Sequence, residues 1–457
     1  MNRPHSFVRR RSGRRPELGR GSPLVQLARR IANRTAHIGV IGLGYVGLPL
    51  AVEFAKEGFR VTGIDLDVAR VEGVNRAHSY ILDVPSEDLR KLRSAHRLLA
   101  TTSMGVLGSQ DAIIICVPTP LRKTREPDMS YILSATNEIA AHVRKGQLIV
   151  LESTTYPGTT DEVVLPALEA RGLKVGRDFC LAFSPERIDP GNATYTTRTI
   201  PKVIGGITPI CTKLATALYS CAIHRTVPVS SSKVAEMVKL LENTFRAVNI
   251  GLVNEIALIC DRLGIDVWEV IDAARTKPFG FMPFYPGPGI GGHCIPSDPM
   301  YLAWKVRVHG FEARFIELAT QINGAMPDYV VEKVSSVLND RRKSLKGSRI
   351  LLLGLAYKKD VGDLRDSPAF DVARLLQERG AQVDYHDPYV PFVSLNGVRC
   401  TSTPLTASTL RRCDCVIILT NHSTLDYALV LRHAPVIVDT RNQYGNLPRR
   451  SPRVVKL

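Results

Sequence analysis

Cys294 stands in the stretch GPGIGGHCIPSD (287–298), where glycines crowd the approach to the thiol and Asp298 follows four positions on. Backbone of this kind bends tightly and comes close to a ligand. A thiol so placed suits attack on a carbonyl carbon in a dry polar pocket; a structural cysteine buried beside a flexible loop fits the same letters. Lys239 and Asn243 lie four apart in a helical pattern and so project from one face. An ammonium and an amide aimed at one point stabilise a developing oxyanion, although an exposed polar stripe has the same spacing. In STTYPGTT (153–160) Thr154 can hold a water or a hydroxyl, and FSPERIDPG (183–191) puts Glu186 on a loop after an apolar run. Loops at the carboxyl ends of parallel strands are where such sheets bind ligands. An ordinary turn or cap role is the alternative for both residues.

A second constellation is HIGVIGLGYVG (37–47), an apolar run leading into Gly42, Gly44 and Gly47 with Leu43, Tyr45 and Val46 between them. A helical pattern follows, then a second apolar run, RVTGIDLD, which reaches Asp65. Strand, glycine turn, helix and strand with an acid at the far tip make a dinucleotide-binding unit: a tight turn, room for a pyrophosphate, and close helix–strand packing. The free N–H groups of the helix start face the phosphate. Asp65 would accept from ribose hydroxyls and repel a 2′-phosphate, which favours NAD over NADP.

These groups need elements to carry them. Apolar strands are expected at 37–41, 60–64, 111–117 and 147–151, with weaker ones at 179–183 and 202–204, alternating with helices in the rhythm of a doubly wound parallel sheet. Residues 22–34 read as a leading helix. Residues 230–275 carry one long helical period, broken at Gly264, and more helix is expected from about 299 to 341. A second alternating region follows: strand and turn at 349–357, helix at 368–380, a strand at 382–388 reaching Asp387, and strands at 414–422 and 435–442. The class is therefore α/β, with two Rossmann-like doubly wound parallel-sheet domains joined by a central helical domain built on a long helix. The bounds are a disordered basic extension over 1–21, a dinucleotide-binding domain over 22–228, a central helical domain over 229–340 and a second Rossmann-like domain over 341–457.

The 457 residues are 44% hydrophobic and 23% charged, ordinary for a globular chain, with no apolar run of membrane-spanning length. Nine dispersed cysteines without a CxxC pair argue for a reducing compartment, with no disulfide framework and no metal site; Cys413 and Cys415 read as core. Of the formal charge of +17, residues 1–34 supply +9 through ten arginines against Glu17, leaving +8 for the remainder. A moderately basic body suits an anionic substrate.

In their order, IGLGYVGLPLA, VPTP (117–120), STTYPGTT, SPER, VKLLENTFRAVNIGLVNE, GPGIGGHCIPSDP and GLAYKKDVGDLRDSP resemble the UDP-glucose/GDP-mannose dehydrogenase family over about residues 35–445. The form FGFMPFYPGPGIGGHCIP is most similar to the branch acting on UDP-N-acetylglucosamine, and GGHC is shared with the branch acting on the C2 epimer. The resemblance implies a four-electron oxidation of a sugar 6-hydroxyl with two NAD, through a thiohemiacetal and a thioester on Cys294. It makes Lys239 and Asn243 partners of the charged oxygen, Asp298 a group that assists proton transfer or orders a water, and Glu186 with Thr154 the pair that directs the hydrolytic water. Asp65, Arg70, Thr119, Thr154 and Arg365 match cofactor contacts. Tyr285, Gly287, Gly289, Gly291, Tyr357, Lys358 and Arg441 match contacts to the sugar nucleotide, as do Glu186, Lys239 and Asn243. A cytoplasmic homodimer with no nucleic-acid partner and no membrane insertion is implied. Ser297 and Pro190 stand where UDP-glucose enzymes carry a lysine and a second glutamate, and both fit the amino-sugar branch; His293 reads as a loop residue of that branch. Two rivals make other demands: a two-electron 3-hydroxy-acid dehydrogenase needs the lysine without the thiol, and a polyanion-binding protein needs only the basic tail.

Overall fold

Short runs of isoleucine, valine and leucine, closed off by glycine or an acid, build the central layer of each sheet. The computed structural model describes residues 21–457 except 82, 123–125, 189–193, 396 and 450, so the extension expected to be disordered, through residue 20, and Pro190 lie outside the described residues. The chain forms two compact units. One comprises residues through 118, 129–153 and 158–236; the other comprises 119–128, 154–157 and 237–457.

The first unit holds an eight-stranded sheet: β1 (His37–Ile41), β2 (Arg60–Ile64), β3 (Leu98–Thr101), β4 (Ala112–Ile115), β5 (Leu148–Leu151), β6 (Cys180–Phe183), β7 (Lys202–Gly206) and β8 (Thr226–Pro228), in the spatial order 3-2-1-4-5-6-7-8. β4, β5 and β6 are buried along their whole length, as a sheet covered on both faces requires. β3 and β8 lie beyond the strands expected from apolar runs. A parallel order was also expected throughout, yet β7 runs antiparallel to β6, with Ala182 opposite Gly206 and Phe183 opposite Gly205. An apolar run records burial and leaves strand direction open. The leading helix Pro23–Ala32 buries Leu24, Leu27 and Ile31 in this unit's core, against residues such as Leu214 and Leu218.

In the second unit a five-stranded parallel sheet takes the order 10-9-13-14-15, formed by β9 (Arg349–Leu353), β10 (Gln382–His386), β13 (Cys415–Ile418), β14 (Ile437–Asp439) and β15 (Val454–Lys456); the hairpin β11 (Phe392–Leu395) and β12 (Val398–Thr401) stands apart. Its core gathers Met326, Val330, Val334 and Val337 from the helix Arg314–Asn339 with Leu352, Val372, Leu376 and Ile417. The long helical period resolves into Ser232–Leu263 and Val267–Ala274. Gly264, at φ +74°, makes the break, a conformation that costs glycine no steric strain. No helix among the described residues is long and apolar enough to cross a membrane.

Candidate active site

In the first unit the turn after β1 is shaped by its glycines. Gly42 has φ +92°, and a Cβ built there would run into the Cys116 carbonyl; a Cβ on Gly47 would run into the carbonyl of Gly42. Gly44 differs, because a Cβ there would meet no protein atom within 4 Å. Its missing side chain leaves room outside the fold, which is what close approach of a pyrophosphate requires. The helix Gly47–Lys56 begins with no side-chain cap; the Leu48 N–H donates to the Gly44 carbonyl at 3.2 Å and Pro49 carries none, so what the helix start offers an anion is chiefly its positive end. Leu43 is buried, Val46 is half-buried and Tyr45 is exposed. Asp65 follows the end of β2; its Oδ2 accepts from the Leu43 N–H at 2.7 Å and its Oδ1 from the Asp67 N–H at 2.9 Å. The Arg70 guanidinium lies 3.3 Å from the same Oδ2. These residues fit a dinucleotide with an unphosphorylated ribose.

Glu186 also belongs to this unit, and its setting is one that sequence reasoning missed. The buried Lys202 ammonium donates to Glu186 Oε2 at 2.8 Å and to Glu152 Oε2 at 2.8 Å. Glu186 Oε1 accepts the N–H groups of Arg187 at 2.7 Å and Ile188 at 2.8 Å. The Tyr219 phenol donates to Glu152 Oε1. Burial pushes the Glu186 carboxyl up, but the Lys202 charge and hydrogen bond with the two backbone donors outweigh it and hold the group below its ordinary value. Burial keeps Glu152 above its own.

The thiol cluster lies in the second unit. Helix was expected from about 299, with the thiol on a loop; instead the helix Cys294–Arg307 starts at the thiol itself. Pro296 disguised this start, yet proline is tolerated in a first turn, where its missing N–H has no intrahelical acceptor. Asp298, one turn on, shares the face of Cys294 and is 1% exposed. Lys239 is 7% exposed, which excludes a solvated stripe, and its ammonium donates to Thr154 Oγ1 at 2.5 Å. The Asn243 amide donates to Asp298 Oδ2 at 2.6 Å. Burial pushes the Cys294 thiol above its usual value, Lys239 pulls it down, Asp298 pushes it up, and Arg365 and Arg246 pull it down. His293 Nδ1 lies 4.0 Å from the sulfur, and burial depresses that imidazole. Burial raises Asp298 to about 6, against the pull of Lys239 and the Asn243 hydrogen bond. Tyr301, seven residues beyond the thiol on the same helix and fully buried, donates to the Thr119 carbonyl at 2.6 Å. It ties the VPTP turn to the helix that carries the thiol; the seven-residue interval is the one sequence signal that could have found it.

The segment leading to the thiol is held by a buried asparagine pair. Asn254 on the long helix accepts from the Gly287 N–H at 3.0 Å and donates to Asn323 Oδ1 at 2.8 Å, and Asn323 donates to the Ala247 carbonyl at 3.1 Å. A Cβ on Gly287 would approach Arg441 Nη1 at 2.7 Å, on Gly289 Pro368 at 2.9 Å, and on Gly291 Cβ of Tyr357 at 2.5 Å. The Gly292 N–H donates to the Arg365 carbonyl at 2.9 Å, while the Arg365 guanidinium pairs with both oxygens of Asp363. Lys358 stands half-buried next to Tyr357. Tyr285 stacks on Trp268, centroids 5.9 Å apart, and its hydroxyl donates to Asp272 at 3.2 Å. Trp268, Tyr285, Arg275 and Arg441 line a cavity of about 400 Å³. Burial draws the Arg441 guanidinium down to about 10 despite Asp439. Aromatic faces and two guanidinium groups suit an anionic, ring-bearing ligand. Thus Cys294, Asp298, Lys239, Asn243, Thr154 and Thr119 share one unit with Tyr285, the glycines, Tyr357, Lys358, Arg365 and Arg441, whereas Gly42–Gly47, Asp65, Arg70 and Glu186 belong to the other.

Three domain families match the chain in order. They are the NAD binding domain of the UDP-glucose/GDP-mannose dehydrogenase family over residues 36–223, its central domain over 233–325 and its UDP binding domain over 351–446. A UDP-N-acetyl-D-glucosamine 6-dehydrogenase of Pseudomonas aeruginosa is 40% identical over 355 residues, 77% of this chain and 83% of that protein. A UDP-N-acetyl-D-mannosamine dehydrogenase of Escherichia coli K12 is 36% identical over 402 residues, 85% and 94% of the two. Among solved structures, a UDP-D-ManNAc dehydrogenase from Pyrococcus horikoshii superposes with a TM-score of 0.83 at 32% identity, covering 92% of this chain and 98% of that one.

Proposed function

This chain belongs to the UDP-glucose/GDP-mannose dehydrogenase family, and from that premise we propose that it oxidises C6 of a UDP-N-acetylhexosamine, UDP-N-acetylglucosamine first, to the uronic acid through a covalent intermediate on Cys294. It is an NAD-dependent nucleotide-sugar dehydrogenase with a UDP binding domain. The observation that carries the reading is the half-buried Cys294 grouped with two bonded pairs, Lys239–Thr154 at 2.5 Å and Asn243–Asp298 at 2.6 Å. NAD held at the Gly42–Gly47 turn and Asp65 would supply the hydride acceptor, one molecule for each of the two oxidations at C6.

Asp298 takes the hydroxyl proton as the aldehyde forms. The Cys294 sulfur then bonds to the aldehyde carbon, and the carbonyl oxygen gains charge within reach of the Lys239 ammonium and the Asn243 amide. Loss of the second hydride leaves a thioester. Water held by Thr154 and deprotonated by Glu186 adds to the acyl carbon, the C–S bond breaks, and the thiolate recovers a proton. Alcohol and water thus give carboxylate, two hydrides and three protons. A thiol that rests protonated is not lost to stray oxidants and reacts when an aldehyde is delivered to it. Glycines 287, 289 and 291, with Tyr285, Tyr357, Lys358 and Arg441, hold the sugar nucleotide.

UDP-N-acetylmannosamine is the second reading, favoured by the mannosamine dehydrogenases among the relatives; UDP-glucose is the third. A homodimer belongs to the same proposal. Met237, Leu241, Phe245, Leu252, Ile259 and Leu263 stand exposed at spacings of four and seven along one helix, an apolar stripe of the kind two helices cover together. A cytoplasmic site, a role in making surface-polysaccharide precursors and the domain bounds 22–228, 229–340 and 341–457 complete it. The test supplies UDP-N-acetylglucosamine, UDP-N-acetylmannosamine, UDP-N-acetylgalactosamine and UDP-glucose with NAD. The expected result is fastest turnover of the first, two NADH per uronic acid, and loss of acid production in Cys294→Ser. Parent-rate acid from that variant, or one NADH per sugar, would defeat the covalent route.

A further inference from the structure

We propose that Lys202 is a positioning residue for hydrolysis, bridging Glu152 and Glu186 so that Glu186 presents an oriented carboxylate to water. The proposal rests on the reading of Glu186 as the group that directs that water. Its origin is the reversed strand. With Ala182 opposite Gly206 and Phe183 opposite Gly205, the antiparallel register carried three residues further puts Lys202 opposite Glu186. A parallel β7 would start at the other end of the sheet. The reversal brings an ammonium to the carboxyl ends of β5 and β6, where Glu152 and Glu186 emerge.

A role in the core alone accounts poorly for this arrangement. Two carboxylates and one ammonium, all under 9% exposed, sum to one negative charge. Apolar side chains of similar volume generally stabilise an interior at least as well as a buried ion network. Among the described residues, the other groups facing it are the Tyr219 phenol, which donates to Glu152, and the Cys116 thiol, which burial and the charge of Glu152 keep protonated. The Arg187 guanidinium is turned to the Pro201 carbonyl at 2.7 Å. Lys202 is thus the cation that holds Glu186 Oε2, while two backbone N–H groups hold Oε1. The orientation is fixed from both sides.

Removing the ammonium deletes two of the pulls that keep Glu186 ionised and leaves it beside a second buried carboxylate. Its affinity for a proton must rise. The full-length enzyme, given NAD and UDP-N-acetylglucosamine, should therefore show in Lys202→Met a kcat for acid release lowered about tenfold or more with KM little changed. The thioester should accumulate on Cys294, visible by intact mass, and the acid limb of the pH–rate profile should move to higher pH. Lys202→Arg should restore most of the rate. Glu152→Gln, which leaves Lys202 with one carboxylate, should move the acid limb the other way. A parent-like acid limb in both Lys202→Met and Glu152→Gln would overturn the inference; if Lys202→Met fails to fold, Glu152→Gln decides alone. Glu186→Gln separates the two claims. Parent-rate acid release there removes the role of Glu186 and the inference with it, whereas a stalled thioester there beside parent-like acid limbs in Lys202→Met and Glu152→Gln removes the inference alone.

Discussion

The two sheets of this chain begin with the same device and put it to different uses. In the first, β1 is followed by Gly42, φ +92°, and the next residue, Leu43, donates its N–H to Asp65 Oδ2 at 2.7 Å. In the second, β9 is followed by Gly354, φ +81°, and Leu355 donates to Asp387 Oδ2, also at 2.7 Å. A Cβ on Gly42 would strike the Cys116 carbonyl, and one on Gly354 the Thr420 carbonyl, each from the neighbouring strand's end. There the likeness stops. Asp387 spends its remaining capacity on the protein, accepting from Ala356 N–H at 3.0 Å, Tyr389 N–H at 2.8 Å and His422 Nε2 at 3.1 Å. Asp65 has fewer partners within the fold and a half-exposed arginine beside it. The helix after Gly42 starts uncapped at Gly47, whereas the helix after Gly354 starts only at Pro368, with the Ser367 hydroxyl bonded to the Ala369 N–H. One turn leaves its helix start uncapped and its acid with fewer partners; the other caps its helix and encloses its acid. A dinucleotide fingerprint is therefore lost by satisfying its polar groups from within as much as by losing glycines.

The comparison is open to breakage at matched positions. The largest effect is expected from Gly354→Ala, where positive φ and a backbone clash combine to cost about 3 kcal/mol or more; thermal unfolding should fall sharply while the KM for NAD in the remaining folded enzyme stays put. Gly44→Ala should do the reverse, leaving the melting temperature within a degree or two and raising the KM for NAD about tenfold, because its Cβ points where only a ligand is met. Equal melting losses in the two would erase the distinction. At the acids, Asp387→Asn should destabilise by about 1–3 kcal/mol, and Asp65→Asn should ease discrimination against NADP by about tenfold with little loss of stability.

The smallest effect is in acid. Burial pushes the Asp387 carboxyl up, but the His422 hydrogen bond and the N–H groups of Ala356 and Tyr389 prevail and hold it below its ordinary value. A depressed carboxyl stabilises the fold fully above its ordinary value, and that contribution disappears as pH falls through the lowered one. Acid unfolding of Asp387→Asn should accordingly be less steep below about pH 4 than that of the parent. An identical slope would mean that the carboxylate is not held by these bonds.

What could be read in advance was local, and what escaped was not. Glycine spacing, the four-residue interval from Lys239 to Asn243 and the run before Cys294 are patterns within one element, so periodicity exposes them. Gly264 announced its own helix break. Lys202 gave no sign, because its partners Glu152 and Glu186 lie 50 and 16 residues away and come beside it only through strand pairing that apolar runs do not encode. Strand reversal at β7 was hidden for the same reason. The helix start at Cys294 was masked by Pro296 and Pro299, two residues ordinarily taken as helix breakers. The hairpin of β11 and β12 escaped because its strands are four residues each and half exposed.

The asparagine bridge from Asn254 to the Gly287 N–H means that the stretch preceding the thiol does not carry its own shape. Its curvature is dictated by an amide thirty-three positions upstream and by that amide's companion at 323. Transplanting residues 285–292 from a cousin with another sugar preference would import the letters without the anchor. Redesign of selectivity must move helix and stretch as one piece.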